Sequence, residues 1–181
     1  ELATHCKKYG IKLIHITTDC VFSGRKGNYV ETDEHDCLDF YGKSKSLGEP
    51  DEDCMVIRTS IIGEEIHKDA SLIAWVKSMK GKEISGYTNH RWNGITTYQY
   101  ARICEKIIEE QLYAEGLFHV SSNAVTKHEM VTDINEKFDL GIVINKFETP
   151  EGVDRTLSTE KDLSLRLGED LPTVREQIFG L

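Results

Sequence analysis

Several features that would each define a class of protein are missing from this sequence. No apolar run approaches the length of a membrane-spanning helix, since runs such as residues 57–62 are short and contain polar residues. Glu1 opens no basic and apolar signal sequence. The five cysteines show no C-x-x-C spacing, and the seven histidines show no spacing suited to a metal. We therefore expect a soluble, cytoplasmic protein with no disulfide framework, no metal site and no membrane partner.

Positive charge is also scarce. The chain has 22 Lys and Arg against 31 Asp and Glu, which gives a formal net charge of −9. The basic residues are scattered along the sequence rather than gathered into a stripe, so nucleic acid is not an expected partner. With 181 residues, of which 39% are hydrophobic, the chain is long enough to bury a substantial core.

A glycine-rich phosphate loop is missing as well. In dinucleotide-binding sheets this loop follows the opening strand and holds the pyrophosphate. Here the first residues predict the last turns of a helix ending at Gly10, and Gly24 and Gly27 lie in a later polar segment, where they predict only a loop. The sequence therefore predicts the later part of a doubly wound domain, inactive by itself. Its unpaired sheet edge favours a homodimer or strand exchange.

Local patterns predict an α/β chain. Strands rich in β-branched or apolar residues are predicted at 11–17, 54–59, 83–87, 117–121 and 143–148. Helices are predicted over 39–48, 71–80, 97–111 and 173–179, and one more from Thr126. Thr126 begins a capping-box pattern, and Ser71 or Asp69 is the expected N-cap of the helix over 71–80. The strand–helix–strand order of the first half is typical of a parallel sheet.

Three side chains carry recognisable chemistry. Thr18 follows the strand at 11–17, and ligands bind at the carboxyl ends of parallel strands. Tyr41 and Lys45 lie one turn apart on the helix over 39–48. A lysine ammonium favours the phenolate, which makes the phenol a better proton carrier near neutral pH. If Thr18 holds the oxygen of a substrate carbonyl, these three residues can transfer a proton to that oxygen while a cofactor transfers a hydride to the carbon. The alternative is that Tyr41 and Lys45 are an exposed helix pair with no further role.

The motifs around these residues resemble the extended short-chain dehydrogenase/reductase superfamily. They are T-T-D-C-V-F-S-G at 17–24, Y-V-E-T-D at 29–33, Y-G-K-S-K-S-L-G-E at 41–49 and V-I-R-T-S-I-I-G at 56–63. They are most similar to the dTDP-4-dehydrorhamnose reductase-like branch of sugar-nucleotide reductases. The resemblance covers residues 1–125, and more loosely the rest.

This resemblance implies a fold. The expected architecture is α/β, comprising the C-terminal part of a Rossmann-like doubly wound parallel sheet plus a small mixed α/β substrate lobe. Residues 1–62 and 92–125 would form the NAD(P)-binding part. Residues 63–91 and 126–181 would form the lobe for the sugar nucleotide.

The resemblance also implies roles for individual residues. Thr18 would match the Ser/Thr of the catalytic triad, Tyr41 the acid, and Lys45 the residue that binds the nicotinamide ribose. The implied cofactor-binding residues are Thr17, Tyr41, Lys45, Thr59 and Ser60. The implied substrate-binding residues are Asp19, Cys20, Val21 and Asn93. Arg91 and Trp92 replace a polar pair of the family; they could clamp a diphosphate and stack on a base or sugar, or Trp92 could face a partner or the core.

The cofactor would be NADP or NAD. The sequence does not choose between them, because the residues that discriminate lie in the missing part. The substrate would be a nucleotide-activated 4-keto deoxysugar used to make cell-surface polysaccharide.

Some positions depart from the family pattern or have a second interpretation. Ile61 stands where rhamnose-type reductases carry an aromatic residue, and Thr96 stands where the family has proline, so the particular sugar is not predicted. Asp19 could be only a turn cap.

Arg58 could meet a phosphate or a neighbouring carboxylate, and a structural pair is expected. The acidic segment with Glu31, Asp33, Glu34 and Asp36 is expected to be a solvated face, and the family pattern offers the alternative that Glu31 bonds the active-site loop.

Two other functions fit the same residues. An epimerase or dehydratase of the superfamily would use the same trio and return the hydride to the sugar. A catalytically silent relative would bind a dinucleotide or a partner protein and regulate it.

Overall fold

The computed structural model describes residues 1–65, 71–161, 163 and 171–181. Its helices are α1 Leu2–Lys8, α2 Phe40–Gly48, α3 Leu72–Ser78, α4 Thr97–Glu109, α5 Lys127–Lys137 and α6 Val174–Phe179. Its longer strands are β1 Ile14–Thr18, β2 Met55–Thr59, β4 Glu83–Tyr87, β7 Gly116–His119 and β9 Val143–Phe147. Between them lie the short strands β3 Ile61–Ile62, β5 His90–Trp92, β6 Ile95–Thr96, β8 Val125–Thr126 and β10 Val153–Asp154. The expected α/β class is confirmed.

The sheet that positions the candidate site has the strand order β1-β2-β7, and all its strands are parallel. All five residues of β2 are buried, because this strand has a neighbour on each side and is covered on both faces. Ile16 of β1 pairs with Ile57, and Thr18 pairs with Thr59. Parallel register therefore brings the carboxyl ends of β1 and β2 to one edge. In the described part of the chain, β1 has a partner strand on one side only.

Two apolar clusters form most of the core. One joins β2 and β7 to α4 through Met55, Ile57, Ile103, Ile107 and Phe118. The other joins α3, β4, α5 and α6 through side chains that include Ile73, Ile84, Met130, Ile134 and Ile178. The first cluster lies largely in the predicted NAD(P)-binding part and the second largely in the predicted substrate lobe. The division into those two parts stays a prediction.

Helix α2 packs closely on the 3₁₀ turn at Asp19–Val21. Asp39 caps this helix by accepting a hydrogen bond from the Gly42 N–H at 2.7 Å. A Cβ added at Gly42 would overlap the carbonyl oxygen of Cys20 and lie 2.7 Å from the Cys37 Cβ. Only a residue without a side chain allows this approach. Gly42 therefore sets how near α2 comes to the end of β1.

The predicted helix starts can be compared directly with the structure. Ser71 caps α3 by accepting a hydrogen bond from the Ala74 N–H, whereas Asp69, the other candidate, lies outside the described residues. Thr126 and Glu129 form the expected capping box at α5. None of the helices that the structure describes is long and apolar enough to cross a membrane.

Candidate active site

A cavity of about 350 Å³ opens where β1 and β2 end. Its lining comprises Ile16, Thr17, Thr18, Cys20, Tyr41, Lys45, Thr59, Ser60 and Ile61. The structure thus brings the three predicted catalytic residues to one cavity with the predicted cofactor-binding residues. Parallel register places the strand residues there, and the close packing of α2 on the turn adds Tyr41 and Lys45.

Thr18 is held by its own neighbours. Its Oγ1 accepts a hydrogen bond from the Cys20 N–H at 3.2 Å, which caps the 3₁₀ turn. The same hydroxyl donates to the Asp19 Oδ1 at 3.2 Å. The cap that the sequence assigned to Asp19 is therefore made by Thr18. A carbonyl oxygen entering the cavity could replace Asp19 as the acceptor of the Thr18 hydroxyl.

Tyr41 and Lys45 lie on one side of α2, facing the cavity. The Lys45 Nζ is 5.6 Å from the centre of the Tyr41 ring, within the range of a cation–π contact. Tyr41 is 55% exposed, so its phenol is open to a ligand. The pair therefore has the separation that the one-turn spacing predicted, beside the cavity that contains Thr18.

Asp19 lies beneath the cavity rather than in its lining, and only 4% of it is exposed. Burial raises the pKa of the Asp19 carboxyl, and hydrogen bonds from Ser60 and Thr18 offset this in part. Burial also raises the pKa of the Cys20 thiol, and the nearby Asp19 carboxylate adds to the effect. The thiol is therefore not a thiolate nucleophile of the kind found at reactive cysteines.

Two cations near this turn were not identified in the sequence. The Arg155 Nη1 lies 3.7 Å from the Cys20 Sγ, and its Nη2 lies 3.9 Å from the Asp39 carboxylate. The Arg155 Nε is buried and has no hydrogen-bond partner within the described residues. Burial lowers the pKa of Lys127, although the attraction of Asp19 partly restores it. Both cations lie more than 60 positions after the last of the motifs that mark the site, and neither belongs to one of those motifs.

Lys127 also lines a second cavity, of about 500 Å³. Apolar and aromatic side chains dominate this cavity, whose lining comprises Leu72, Trp75, Ile84, Ser85, Gly86, Tyr87, His90, Lys127 and Val131. The Lys127 ammonium is 5.6 Å from the centre of the Trp92 ring. Lys127 therefore belongs to the second cavity and interacts electrostatically with Asp19 and Cys20 beside the first.

Five predicted substrate-binding residues, Asp19 among them, are not in the lining of either cavity. Val21 is fully buried against Phe22 and Tyr29. Trp92 is a core residue, and the Asn93 side chain is used to bond the backbone of Leu157. Arg91 is exposed and lies 3.9 Å from the Asp154 carboxylate. Their substrate contacts remain predictions without geometric support, because sequence position alone does not give the direction of a side chain.

Arg58 and Glu31 have structural partners. Arg58 is 1% exposed and forms an ion pair with Glu49, as expected from the sequence. Glu31 accepts hydrogen bonds from the His119 N–H at 2.8 Å, the Thr159 hydroxyl at 2.6 Å and the Glu160 N–H at 3.0 Å. Burial alone would raise the pKa of Glu31, but these bonds lower it overall. Neither residue lines the cavity, so neither is a candidate for substrate contact.

The cavity residues fit a nicotinamide cofactor in one specific respect. The Thr17 Oγ1 is buried, and no partner for it exists in the part of the chain that the structure describes. Buried hydroxyl groups are normally hydrogen-bonded, so a polar group of a bound ligand could complete this one. Thr59, the last residue of the neighbouring strand, and Ser60, which follows it, line the same cavity and could contact the same ligand.

A parallel sheet with a Tyr–Lys helix at its carboxyl edge is the arrangement implied by the resemblance to extended short-chain dehydrogenases and reductases. Residues 1–156 match the family described as RmlD substrate binding domain, so the chain belongs to that family. The chain also superposes on the crystal structure of dTDP-4-dehydrorhamnose reductase from Bacillus anthracis in complex with NADP. That match has a TM-score of 0.74 and 22% identity over 98% of this chain and 67% of the other. The predicted family and fold are confirmed.

Two curated relatives differ in what their names describe. Methionine adenosyltransferase 2 subunit beta of Danio rerio is 34% identical over 145 residues, which is 72% of this chain and 45% of the relative. Five further species have relatives of the same name. Spore coat polysaccharide biosynthesis protein SpsK of Bacillus subtilis is 28% identical over 161 residues, which is 85% of this chain and 56% of the relative. The chain thus spans about half the length of these relatives.

Proposed function

We propose that the chain belongs to an NAD(P)-dependent reductase of a nucleotide-activated 4-keto deoxysugar, acting in the cytoplasm in polysaccharide precursor synthesis. The observation that carries this proposal is the single cavity lined by Thr18, Tyr41 and Lys45. Membership in the family supports it, as does the likeness to a reductase in complex with NADP.

Each of the three residues has one task in this proposal. The Thr18 hydroxyl binds the keto oxygen and orients the carbonyl. The Tyr41 hydroxyl gives its proton to that oxygen as the alcohol forms. The Lys45 ammonium stabilises the resulting phenolate and binds the ribose. Thr17, Thr59 and Ser60 would help to hold the cofactor, which supplies the hydride when it is bound.

The two cations missed in the sequence fit the anionic part of such a substrate. Arg155 reaches the turn at Cys20, and Lys127 lies between this turn and the second cavity. Guanidinium and ammonium groups are the usual partners of phosphate oxygens. We assign the diphosphate to Arg155 and Lys127. The base would then occupy the second cavity, beside Trp75 and Tyr87.

Because the chain spans about half of its curated relatives, the activity proposed is that of the full-length gene product. The isolated chain is expected to be inactive, since the pyrophosphate site of a doubly wound sheet lies at its first strand and glycine-rich turn. Titration of the 181-residue chain with NADPH tests this expectation. Binding at micromolar strength would contradict it.

The reductase proposal is tested by mixing the full-length product with NADPH and a dTDP- or UDP-4-keto sugar. Stoichiometric oxidation of NADPH with formation of a reduced sugar supports a reductase. An altered sugar with no net loss of NADPH would instead support the epimerase or dehydratase alternative. With neither change, the catalytic proposal fails.

A second candidate function follows from the relatives named methionine adenosyltransferase 2 subunit beta. On this alternative the full-length product is a subunit that binds a methionine adenosyltransferase and regulates it. Co-purification with the enzyme from the same organism tests it. A Tyr41→Phe variant separates the two functions, because it should slow reduction by orders of magnitude and leave assembly unchanged.

A further inference from the structure

We propose that His35 is a pH-responsive positioning residue for the helix that carries Tyr41 and Lys45. In its neutral form it joins the C-terminal end of α2 to Arg58 on β2. Protonation of the imidazole would break that connection and loosen the helix.

The connection consists of two short hydrogen bonds on opposite sides of one ring. The His35 Nε2 lies 2.7 Å from the Arg58 Nη2, and its Nδ1 lies 2.7 Å from the Ser46 Oγ. Arginine can only donate, so Nε2 must accept, and the ring proton must then be on Nδ1. Neutral His35 can therefore accept from β2 and donate to α2 at the same time.

Arg58 completes the attachment of α2. Its guanidinium forms an ion pair with Glu49, which follows α2 directly, and its Nε lies 3.3 Å from the Glu49 Oε2. On its other side the Arg58 Nη1 lies 2.8 Å from the His119 Nε2 on β7. Two contacts thus attach the end of α2 to the buried Arg58. Glu49 pairs with Arg58 directly, and Ser46 is linked to it through His35.

The charges around His35 oppose its protonation. Burial lowers the pKa of His35, and the Arg58 cation lowers it further, while Glu49 and Asp51 pull in the other direction. The Glu49 Oε1 lies 3.6 Å from the His35 Nε2, and the Phe22 ring contacts the imidazole edge-on. A second proton would occupy the nitrogen that accepts from Arg58 and would place two cations in contact.

The expected consequence is local. Because burial and contact with Arg58 lower the pKa of His35, the imidazole binds a proton more readily once α2 has separated from Arg58. Acidification therefore favours the state in which α2 is released. Each pH unit between the two pKa values changes this opening equilibrium by about tenfold. An effect on turnover rests in addition on the proposed function, because it requires that Tyr41 and Lys45 be catalytic.

Amide hydrogen exchange of the chain at about pH 8 and about pH 5, on either side of the usual histidine range, tests the proposal. After correction for intrinsic exchange rates, the amides of α2 should lose several-fold more protection at the lower pH than those of α4. Equal losses in α2 and α4 would overturn the proposal. This comparison uses no cofactor or substrate, so its outcome is independent of the reductase assay.

A His35→Gln variant isolates the histidine, because glutamine keeps an uncharged acceptor but does not titrate. In this variant, the amides of α2 should lose no more protection on acidification than those of α4. The matched control is His90→Gln, which removes another histidine of lowered pKa that bonds Thr149, away from α2. This control should keep the wild-type loss. An unchanged loss in His35→Gln would overturn the proposal, and if that variant does not fold, the wild-type comparison of α2 with α4 decides.

Discussion

Tyr41 is the side chain at which chemistry and folding are most easily separated, because its phenol is exposed and has no buried partner among the described residues. In the full-length product, Tyr41→Phe should lower kcat by about 10²- to 10⁴-fold, the usual contribution of a positioned proton donor. Its free energy of unfolding should change by less than about 0.5 kcal/mol. The control is Tyr98→Phe, at an exposed tyrosine on α4, which should leave both kcat and the free energy of unfolding unchanged. Full activity of Tyr41→Phe would remove Tyr41 from the mechanism.

Arg155 provides a test of how the substrate is held. If its guanidinium binds the diphosphate, Arg155→Ala should raise KM for the sugar nucleotide by about tenfold to a hundredfold, the equivalent of one charge-assisted hydrogen bond. The KM for NADPH should stay within about twofold. Arg102→Ala on the exposed side of α4 is the matched control. An unchanged KM for the sugar nucleotide in Arg155→Ala would rule out the assigned contact.

The site residues that could be predicted from the sequence lie in local motifs, whereas those that could not be predicted do not. Thr18, Tyr41 and Lys45 lie within continuous motifs, and a strand followed by a helix predicts where such motifs meet. Arg155 and Lys127 reach the same turn through long-range packing, which no local pattern encodes. Val21 was predicted to approach the sugar from the resemblance, and Trp92 to stack on a base or sugar, yet both side chains are buried in the core.

Helix α2 carries the site only because a glycine lets it approach the turn after β1. Gly42→Ala would force its Cβ against Cys20 and Cys37, and we expect a loss of about 1–3 kcal/mol of stability, as for overpacked cores. Gly48→Ala in the same helix meets no atom within 4 Å and should be neutral or stabilising by up to about 1 kcal/mol. Urea unfolding of both variants gives the comparison. Equal stabilities would show that α2 does not need this close approach.

The longer elements could be predicted because each has its own hydrophobic period or cap. The predicted helix over 97–111, for example, corresponds to Thr97–Glu109 with its buried side formed by Ile103 and Ile107. The short strands β3, β5, β6, β8 and β10 were not predicted. Each has two or three residues and exists through pairing with a distant segment, so its signal is not in its own sequence.

For the molecule as a whole, Glu31 makes stability depend on acidity. Its lowered pKa means that its contribution is complete above the unfolded value of about 4.3 and is lost as pH falls through the folded value. Glu31→Gln should cost about 1–3 kcal/mol at neutral pH and should flatten the loss of stability on acidification. Urea unfolding at about pH 7 and about pH 3 measures this.

Glu34→Gln, in the same acidic segment but exposed, is the control for Glu31. It should leave both the stability at neutral pH and the acid dependence unchanged. If the two variants behave alike, the bonds from Glu31 to His119, Thr159 and Glu160 do not stabilise the fold as described.

The central claim is that the cavity at Thr18, Tyr41 and Lys45 supports reduction of a keto sugar by a nicotinamide cofactor. The most direct measurement is to supply the full-length product with NADPH deuterated at the transferable position, together with a nucleotide-activated 4-keto sugar, and to weigh the product. The account predicts one deuterium on the reduced carbon, and it predicts that Tyr41→Phe forms the same labelled product about 10²- to 10⁴-fold more slowly. An altered sugar that carries no deuterium, with NADPH unchanged, would contradict it.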